Sequence, residues 1–201
     1  MRTTVAVDPD QPSSRFSRRP WMTRAVLALA GELRAHHAAT ADHSHRLADL
    51  ARIVAERMDL DSLTATEAEL VAVLHDVGKL AIDPELLDQP TPLTDDQIRC
   101  VRRHTIEGEE LLTGVAGLRE LAPAVRATHE AWDGTGYPDG LQGDRIPLTA
   151  RIVAVVDAYD AMTSYRAYRK PVPPREACRR LRASAGIQFD PHVVEAFLPG
   201  P

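Results

Sequence analysis

The sequence predicts an all-α single domain with roughly seven or eight helices, and three observations favour that class. Apolar residues recur at spacings of three and four along most of the chain, which is the period of an amphipathic helix. Strand-type alternation of apolar and polar residues does not persist for long anywhere. Aromatic residues make up only 4% of the 201 residues, so Leu, Val, Ala and Ile must fill the core. One domain is expected, because single hydrophobic cores stop growing near about 250–300 residues.

The predicted elements follow in chain order from these spacings. Residues 1–19 are polar and contain several Arg, Ser and Pro residues, so we expect a flexible tail before a domain that spans 20–201. Helices are then predicted near 20–33, 41–58, 64–77, 94–112, 118–132, 148–163, 174–184 and 191–197. Thr64 with Glu67, and Thr94 with Gln97, have the spacing of helix capping boxes. The segment 133–143 is rich in glycine and contains a proline, so it is predicted to be a loop.

The composition and charge exclude several classes of partner. The net charge is −5, from 24 basic and 29 acidic residues, which is a poor basis for general binding to DNA. No apolar run approaches the ~20 residues that a membrane-spanning helix needs, and the first residues lack a secretory pattern. Cys100 and Cys178 form neither a CxxC pair nor a disulfide framework. We therefore expect a cytoplasmic protein that binds no DNA and no membrane, while a small basic pocket for a phosphate ligand remains compatible with the charge.

His75 and Asp76 lie in a strongly apolar segment, and Lys79 follows three residues after Asp76. Burying an ionised carboxylate is costly unless it is paired or coordinates a metal. At this spacing all three side chains can face one cavity. Two interpretations stay open on this segment alone: a local Asp76–Lys79 ion pair beside a half-buried histidine, or a metal site.

Asp157 and Asp160 pose the same question one helical turn apart in another apolar segment. Arg166, Arg169 and Lys170 follow within three turns and are the cations that simple ion pairing would use. The alternative is that one of the two carboxylates is a metal ligand.

Three further histidines, His43, His104 and His129, lie in predicted helices or at their ends. A single histidine in a helix is more often a structural residue than a ligand. Four histidines and two aspartates on separate helices form a more specific pattern, and imidazole with carboxylate suits Fe, Mn, Zn or Ni rather than Ca or Mg.

A series of ordered motifs then matches a known family. They are His75-Asp76 with Gly78-Lys79, HTIEG at 104–108, HEAWDGTGYPDGLQGDRIP at 129–147 and ARIVAVVDAYDAMTSYRAYRK at 150–170, with HSHRLADLA at 43–51 before them and GIQFDPHVVEAF at 186–197 after them. The series resembles the HD-GYP family, a branch of the HD metal-dependent phosphohydrolases, and the resemblance covers about residues 41–197 in order. Such an ordered series is very unlikely by chance.

The resemblance implies an α-helical domain that uses divalent transition metals, Fe or Mn, to hydrolyse cyclic di-GMP to pGpG and, by a second cut, to GMP. The family's metal ligands match His43, His75, Asp76, His104, His129 and Asp157, with Asp76 at the position that bridges two metals. Asp76 and Lys79 match catalytic positions, and Lys79, Arg166 and Arg169 match positions that meet the substrate phosphate. Tyr137 of the Gly136-Tyr137-Pro138 motif matches a ligand contact, and that loop is also the family's contact with diguanylate-cyclase-type domains.

Two positions depart from the family pattern. Thr128 stands where the family has a histidine before the His-Glu pair, so the second metal site is expected to be weak. Ala39 stands where three-metal members have a carboxylate, so two metals are expected rather than three. Two alternatives to the enzyme stay open: a degenerate module that binds cyclic di-GMP or a protein partner without turnover, and an HD hydrolase of another nucleotide.

Overall fold

The computed structural model describes residues 20–165 and 170–198, and this part of the chain is all-α, as predicted. Its α-helices are α1 (Pro20–His36), α2 (Ala38–Arg57), α3 (Ser62–Leu74), α4 (Pro84–Leu87), α5 (Asp95–Arg102), α6 (His104–Gly114), α7 (Ala122–Arg126), α8 (Leu148–Thr163), α9 (Pro174–Ala183) and α10 (Pro191–Phe197). Short 3-10 helices at Val77–Ala81, Arg119–Leu121 and Gly143–Arg145 lie between them. Within these ranges the β structure is a single isolated bridge between Ala185 and Phe189. The tail predicted for residues 1–19 lies outside the described residues.

The core forms where α2, α3 and α8 pack against one another. Residues spaced three and four apart on each helix are fully or almost fully buried, and they include Leu47, Ala51 and Val54 of α2, Ala68, Val71 and Ala72 of α3, and Ile152, Val153 and Val156 of α8. Alanines among them let the helix backbones approach closely. The core is therefore aliphatic, as the low aromatic content predicts.

One of the two predicted capping boxes is confirmed and the other is wrong. At the start of α5, the Thr94 N–H donates to Gln97 Oε1 at 2.9 Å and the Gln97 N–H donates to Thr94 Oγ1 at 3.3 Å. At the start of α3, the cap is Asp61, whose Oδ1 accepts from the N–H groups of Leu63 at 2.8 Å and Thr64 at 2.9 Å. A carboxylate that satisfies two N–H groups competes better for the cap position than a hydroxyl that satisfies one.

Three predicted helices are shorter than expected, and each of the three breaks places a candidate ligand. α3 ends at Leu74, and the chain continues through His75 and Asp76 into a 3-10 helix. The helix predicted over 94–112 is divided at Arg103 into α5 and α6, so that His104 begins a helix. The helix predicted over 118–132 becomes a 3-10 turn and α7, which ends before His129.

Gly78 explains why the chain leaves the α-helix after Leu74. Its backbone lies so close to the carbonyl of His104 and the N–H of Gly108 that an added Cβ would overlap both. The missing side chain lets the 3-10 helix lie against α6, and this contact brings Asp76 next to His104. None of the helices in the described ranges is long and apolar enough to cross a membrane.

Candidate metal centre

The six predicted metal ligands lie together in two groups. His43, His75 and Asp157 form group one, while Asp76, His104 and His129 form group two, and in each group the ligand atoms lie within 4.8 Å of one another. The ligands come from α2, the turn after α3, the start of α6, the turn after α7, and α8. Each group contains two imidazoles and one carboxylate.

Backbone carbonyls orient one histidine of each group. Nδ1 of His75 donates to the Ala72 carbonyl at 2.8 Å, and Nδ1 of His104 donates to the Val101 carbonyl at 2.7 Å. Both bonds reach back three residues, and both turn the Nε2 atom of the ring toward the group. Metal-binding histidines are commonly held in this way, because the second ring nitrogen fixes the tautomer and the orientation.

Asp76 lies between the two groups. Its Oδ2 is 3.3 Å from His75 Nε2 of group one, and its Oδ1 is 3.4 Å from His104 Nε2 of group two. Lys79 Nζ donates to Oδ2 at 2.6 Å. Burial would raise the pKa of Asp76, but the adjacent His75 and Lys79 outweigh it and hold the pKa well below the usual range. The Asp76–Lys79 ion pair predicted as one alternative is present, but His75 is buried rather than half-buried.

Group two contains three buried polar atoms that no described residue satisfies. They are Asp76 Oδ1, His104 Nε2 and His129 Nε2. Burial lowers the pKa of His104 and lowers the pKa of His129 to about 4, so both imidazoles are neutral near pH 7 and carry a lone pair. An unsatisfied buried polar group costs about 1–3 kcal/mol. Three such atoms converging on one point fit a divalent transition metal, because two imidazoles and one carboxylate are a donor set for that class of ion.

Thr128 does not contribute a further donor to group two. The side chain is buried, and its Oγ1 donates to the Val125 carbonyl at 2.9 Å. The hydroxyl is therefore satisfied within its own turn of the chain. Group two offers three protein ligands, the number that leaves coordination positions open at a metal for water or substrate.

Group one is held by a network that the sequence analysis did not place. His43 Nε2 lies 2.8 Å from Asp157 Oδ1, and His43 Nδ1 lies 2.6 Å from Asp160 Oδ2. Asp160 also accepts from Arg46 Nε at 2.8 Å and from Ser164 Oγ at 3.0 Å. The cation beside Asp160 is thus Arg46, one turn after His43, whereas Arg166 and Arg169 lie outside the described residues.

The two carboxylates of this network set the charge of His43. Burial would lower the pKa of His43, but the hydrogen bonds to Asp157 and Asp160 outweigh it and raise the pKa to about 9. Burial would raise the pKa of Asp157, but the hydrogen bond from His43 outweighs burial and lowers the pKa of Asp157 to about 2. An imidazole binds a metal only in its neutral form, so a metal held by His43 would have to displace the proton that His43 Nε2 shares with Asp157.

The glycine-rich loop is anchored to the protein by Glu130. This buried carboxylate accepts from the N–H groups of Asp139 at 2.7 Å and Leu141 at 3.1 Å. The anchored loop places the ring of Tyr137 parallel to that of His129, with 5.1 Å between centroids and 9° between planes. The Arg102 guanidinium lies over the Tyr137 ring, 4.7 Å from its centroid. Burial raises the pKa of Tyr137 to about 12, so its hydroxyl stays protonated.

A cavity of about 620 Å³ opens over group one. Six of the predicted site residues line it: His43, His75, Asp76, Lys79, His129 and Asp157. His104 and Tyr137 are not among its lining residues. The other lining residues include several that the sequence analysis did not single out, among them Arg46, His37, Leu87, Asp88 and Pro90.

The fold is that of an HD-domain protein. The chain matches the HD domain family over residues 28–193, and it belongs to that family. It is 41% identical over 180 residues to the cyclic di-GMP phosphodiesterase response regulator RpfG of Xanthomonas campestris, covering 89% of this chain and 47% of the relative. It is also 36% identical over 179 residues to the 3′3′-cGAMP-specific phosphodiesterase 2 of Vibrio cholerae, covering 86% of this chain and 34% of that protein.

Among solved structures, an HD-GYP-type protein of Bdellovibrio bacteriovorus, Bd1817, has a TM-score of 0.62 at 20% identity, covering 77% of this chain and 50% of that one. Together with the family match and the relatives named above, this confirms the prediction of an HD-GYP-type domain. The chain spans less than half the length of the two relatives named above.

Proposed function

We propose that this chain is a metal-dependent phosphodiesterase that opens cyclic di-GMP to linear pGpG, with GMP as the product of any second cut. The observation that carries the proposal is the pair of ligand groups, with Asp76 between them, beside a cavity of about 620 Å³. The similarity to cyclic di-GMP phosphodiesterases over most of this chain supports the choice of substrate.

The proposed cofactors are two divalent transition metals, Fe or Mn. Two histidines with one carboxylate and open positions are the donor set of non-haem Fe(II) sites, and each group here has that composition. Bound metals would lower the pKa of a water molecule and neutralise the charge that develops on the phosphate. Group two is the proposed weaker site, because Thr128 adds no donor to it.

Side chains of this protein bind the proposed substrate and stabilise its negative charge. Lys79 Nζ donates to Asp76 at 2.6 Å, and the side chain retains 21% exposure where it lines the cavity. An ammonium has three donors, so Lys79 can also bond a non-bridging phosphate oxygen and stabilise the negative charge of the transition state. Tyr137 remains a predicted contact with the ligand, although its ring packs against His129 and is not among the residues that line the cavity. Arg166 and Arg169 remain predicted phosphate contacts.

Attack of water on phosphorus breaks the bond to the ribose 3′ oxygen, which leaves with a proton. The proposed role of Asp76 is to keep the two ligand groups at a fixed separation during this step. Its two oxygens face one group each, and its bond to Lys79 fixes the plane of the carboxylate.

Two alternatives each have an observation in their favour. The relatives that act on 3′3′-cGAMP favour another cyclic dinucleotide as the substrate. Thr128, satisfied by the Val125 carbonyl, favours a module that binds the nucleotide without cleaving it.

The test is turnover by protein purified without oxygen and loaded with Mn²⁺ or Fe²⁺. Cyclic di-GMP, 3′3′-cGAMP and cyclic di-AMP are incubated separately, and the products are separated by chromatography. We expect pGpG from cyclic di-GMP, and none from the Asp76→Ala variant. Preferred cleavage of another dinucleotide would replace the substrate, and intact bound cyclic di-GMP would favour the binding module.

The proposed compartment is the cytoplasm, and the free thiols of Cys100 and Cys178 are compatible with its reducing conditions. A diguanylate-cyclase-type domain that contacts the Gly136-Tyr137-Pro138 loop remains a proposed partner. Co-purification of such a domain with wild-type protein, and not with a Tyr137→Ala variant, would test it.

A further inference from the structure

We propose that His37 and Asp88 form a subsite that reads the Watson–Crick edge of one guanine of the substrate. The two residues lie on the wall of the cavity that also contains Lys79 and the ligands of group one. The inference rests on the proposed function, because it assumes that a guanine-containing nucleotide occupies this cavity.

The hydrogen bonds of His37 determine which of its ring nitrogens carries the proton. His37 is the N-cap of α2, and its Nδ1 accepts from the Thr40 N–H at 3.3 Å. The Thr40 hydroxyl lies 2.7 Å from the same nitrogen. Because Nδ1 is an acceptor, the proton of the neutral ring is on Nε2, which donates to Asp88 Oδ1 at 3.1 Å.

Asp88 is therefore a carboxylate in the cavity wall whose Oδ1 accepts a hydrogen bond from His37. The Asp88 side chain is 74% exposed, whereas the His37 side chain is only 14% exposed. A mostly buried imidazole therefore donates to a carboxylate that a ligand can reach. Among the described residues, no side chain other than His37 bonds to this carboxylate. Asp88 belongs to neither ligand group, so the proposed metals give it no role.

A carboxylate that belongs to neither ligand group and, in the described part of the chain, pairs only with an imidazole is unexpected in a cavity for a dianion, because it repels the phosphates. Guanine, however, presents two adjacent donors, N1–H and the N2 amino group, which match the two oxygens of a carboxylate. Adenine presents the N1 acceptor at that position, which a carboxylate repels. The charge of Asp88 therefore suits a guanine edge and disfavours both adenine and phosphate.

The residues beside Asp88 offer a surface for the face of a base. Leu87 precedes it and Pro90 follows two residues later, and both line the same cavity. Apolar walls with a few oriented polar groups are the usual composition of small-molecule sites. The wall thus provides apolar contact and a polar edge within four consecutive residues.

The test compares Asp88→Asn with wild type in the full chain. Dissociation constants for cyclic di-GMP and cyclic di-AMP are measured by calorimetry on metal-free protein, and turnover of both is measured after loading with Mn²⁺. A hydrogen bond to a charged group contributes enough binding free energy to change the affinity about tenfold or more. We expect cyclic di-GMP to bind about tenfold more weakly to the variant, and cyclic di-AMP to bind equally well or more tightly.

The direction of the change in affinity distinguishes a specific contact with guanine from a general electrostatic effect. Removing a negative charge from the cavity would by itself strengthen the binding of both dianions, so weaker binding of cyclic di-GMP alone requires a specific contact. Glu85→Gln is the matched control, because it neutralises an exposed carboxylate of the same short helix that does not line the cavity. His37→Asn keeps an acceptor for the Thr40 N–H but removes the donor to Asp88, and we expect it to reduce the preference for guanine.

The outcomes for the subsite and for the enzyme can be told apart. If wild type cleaves cyclic di-GMP and Asp88→Asn binds it as well or more tightly, the subsite is wrong and the proposed function stands. If wild type binds cyclic di-GMP without cleaving it and the variant loses its preference over cyclic di-AMP, the subsite stands without the enzyme. A wild type with no preference between the two nucleotides overturns the subsite.

Discussion

At the scale of single residues, Asp160 is the side chain that holds the proposed metal ligand His43 without belonging to either ligand group. It accepts from His43, Arg46 and Ser164, and its carboxylate is buried. Outer partners of metal ligands typically contribute about 10–100-fold in metal affinity. We expect Asp160→Asn to weaken Mn²⁺ binding by about that factor, measured by competition with a chelator.

A matched control for Asp160 lies in another part of the fold. Asp190 is equally buried and is paired with Arg151 at 2.7 Å, but it belongs to neither ligand group. Asp190→Asn should lower the stability of the fold and leave the affinity for Mn²⁺ unchanged. Equal losses of metal affinity in both variants would show that Asp160 acts only through stability.

Thr128 is one of the two residues at which this chain departs from the ligand pattern of the HD-GYP family. Thr128→His would add an imidazole beside group two, which has three protein ligands. We expect metal occupancy to rise together with turnover of cyclic di-GMP, because a better-held metal stabilises the reacting oxygens. Metals per chain, from mass spectrometry, and turnover are compared with wild type after the same anaerobic loading.

The result for Thr128→His also decides between two functions. The wild-type hydroxyl is satisfied by the Val125 carbonyl, so the larger side chain must find both space and a metal within ~2.1 Å of its nitrogen. An increase in occupancy and turnover supports a weakened enzyme. No increase in either, with cyclic di-GMP still bound, would favour the binding module.

At the scale of secondary-structure elements, the contact between the 3-10 helix and α6 determines the position of Asp76. Gly78→Ala would push a methyl group into the His104 carbonyl and the Gly108 N–H. Overpacking of this kind costs about 1–3 kcal/mol. We expect the variant to lose group-two metal before group-one metal, because Asp76 moves away from His104, and metal titration measures this order.

Gly114→Ala is the control for that substitution. Gly114 is the last residue of α6, and an added Cβ there meets nothing within 4 Å. It should bind metal like wild type and unfold at an equal or slightly higher temperature, since Ala favours the helix. Normal filling of group two by Gly78→Ala would contradict the proposed role of the close approach.

The ends of the helices could be predicted from the sequence where the interaction that sets them is local. Thr94 and Gln97 are three residues apart, and their capping box forms as predicted. At Thr64 the same spacing failed, because Asp61 lies just before it and caps the helix instead. The break after Leu74 depends on a contact between Gly78 and α6, which no local pattern reveals.

The same reasoning separates the predictable part of the site from the rest. The resemblance to the HD-GYP family named the six candidate ligands, and the structure brings them together. Their division into two groups, and the contact of Asp160 with Arg46 across 114 residues of sequence, depend on how α2 packs against α8. Asp88 was missed because its partner, His37, is 51 residues away.

At the scale of the whole molecule, the candidate ligands connect elements from α2 to α8, so metal binding there would be coupled to folding. An ion that binds only the native state stabilises it by about 2.7 kcal/mol at a concentration of one hundred times its dissociation constant. For a domain of this size that corresponds to an increase of about 5–10 °C in Tm. We expect calorimetric scans with Mn²⁺ to show such an increase over scans with a chelator.

Two variants show which group produces the increase. Asp76→Ala removes the carboxylate that faces both groups, so it should abolish nearly all of the increase and leave close to no metal on the chain. His43→Ala removes a ligand of group one alone and should leave the contribution of group two. The first variant affects both ligand groups, and the second affects only group one. If both variants lost the same part of the increase in Tm, that result would contradict the proposal that Asp76 serves both groups. Two metals per chain in Asp76→Ala would contradict it as well.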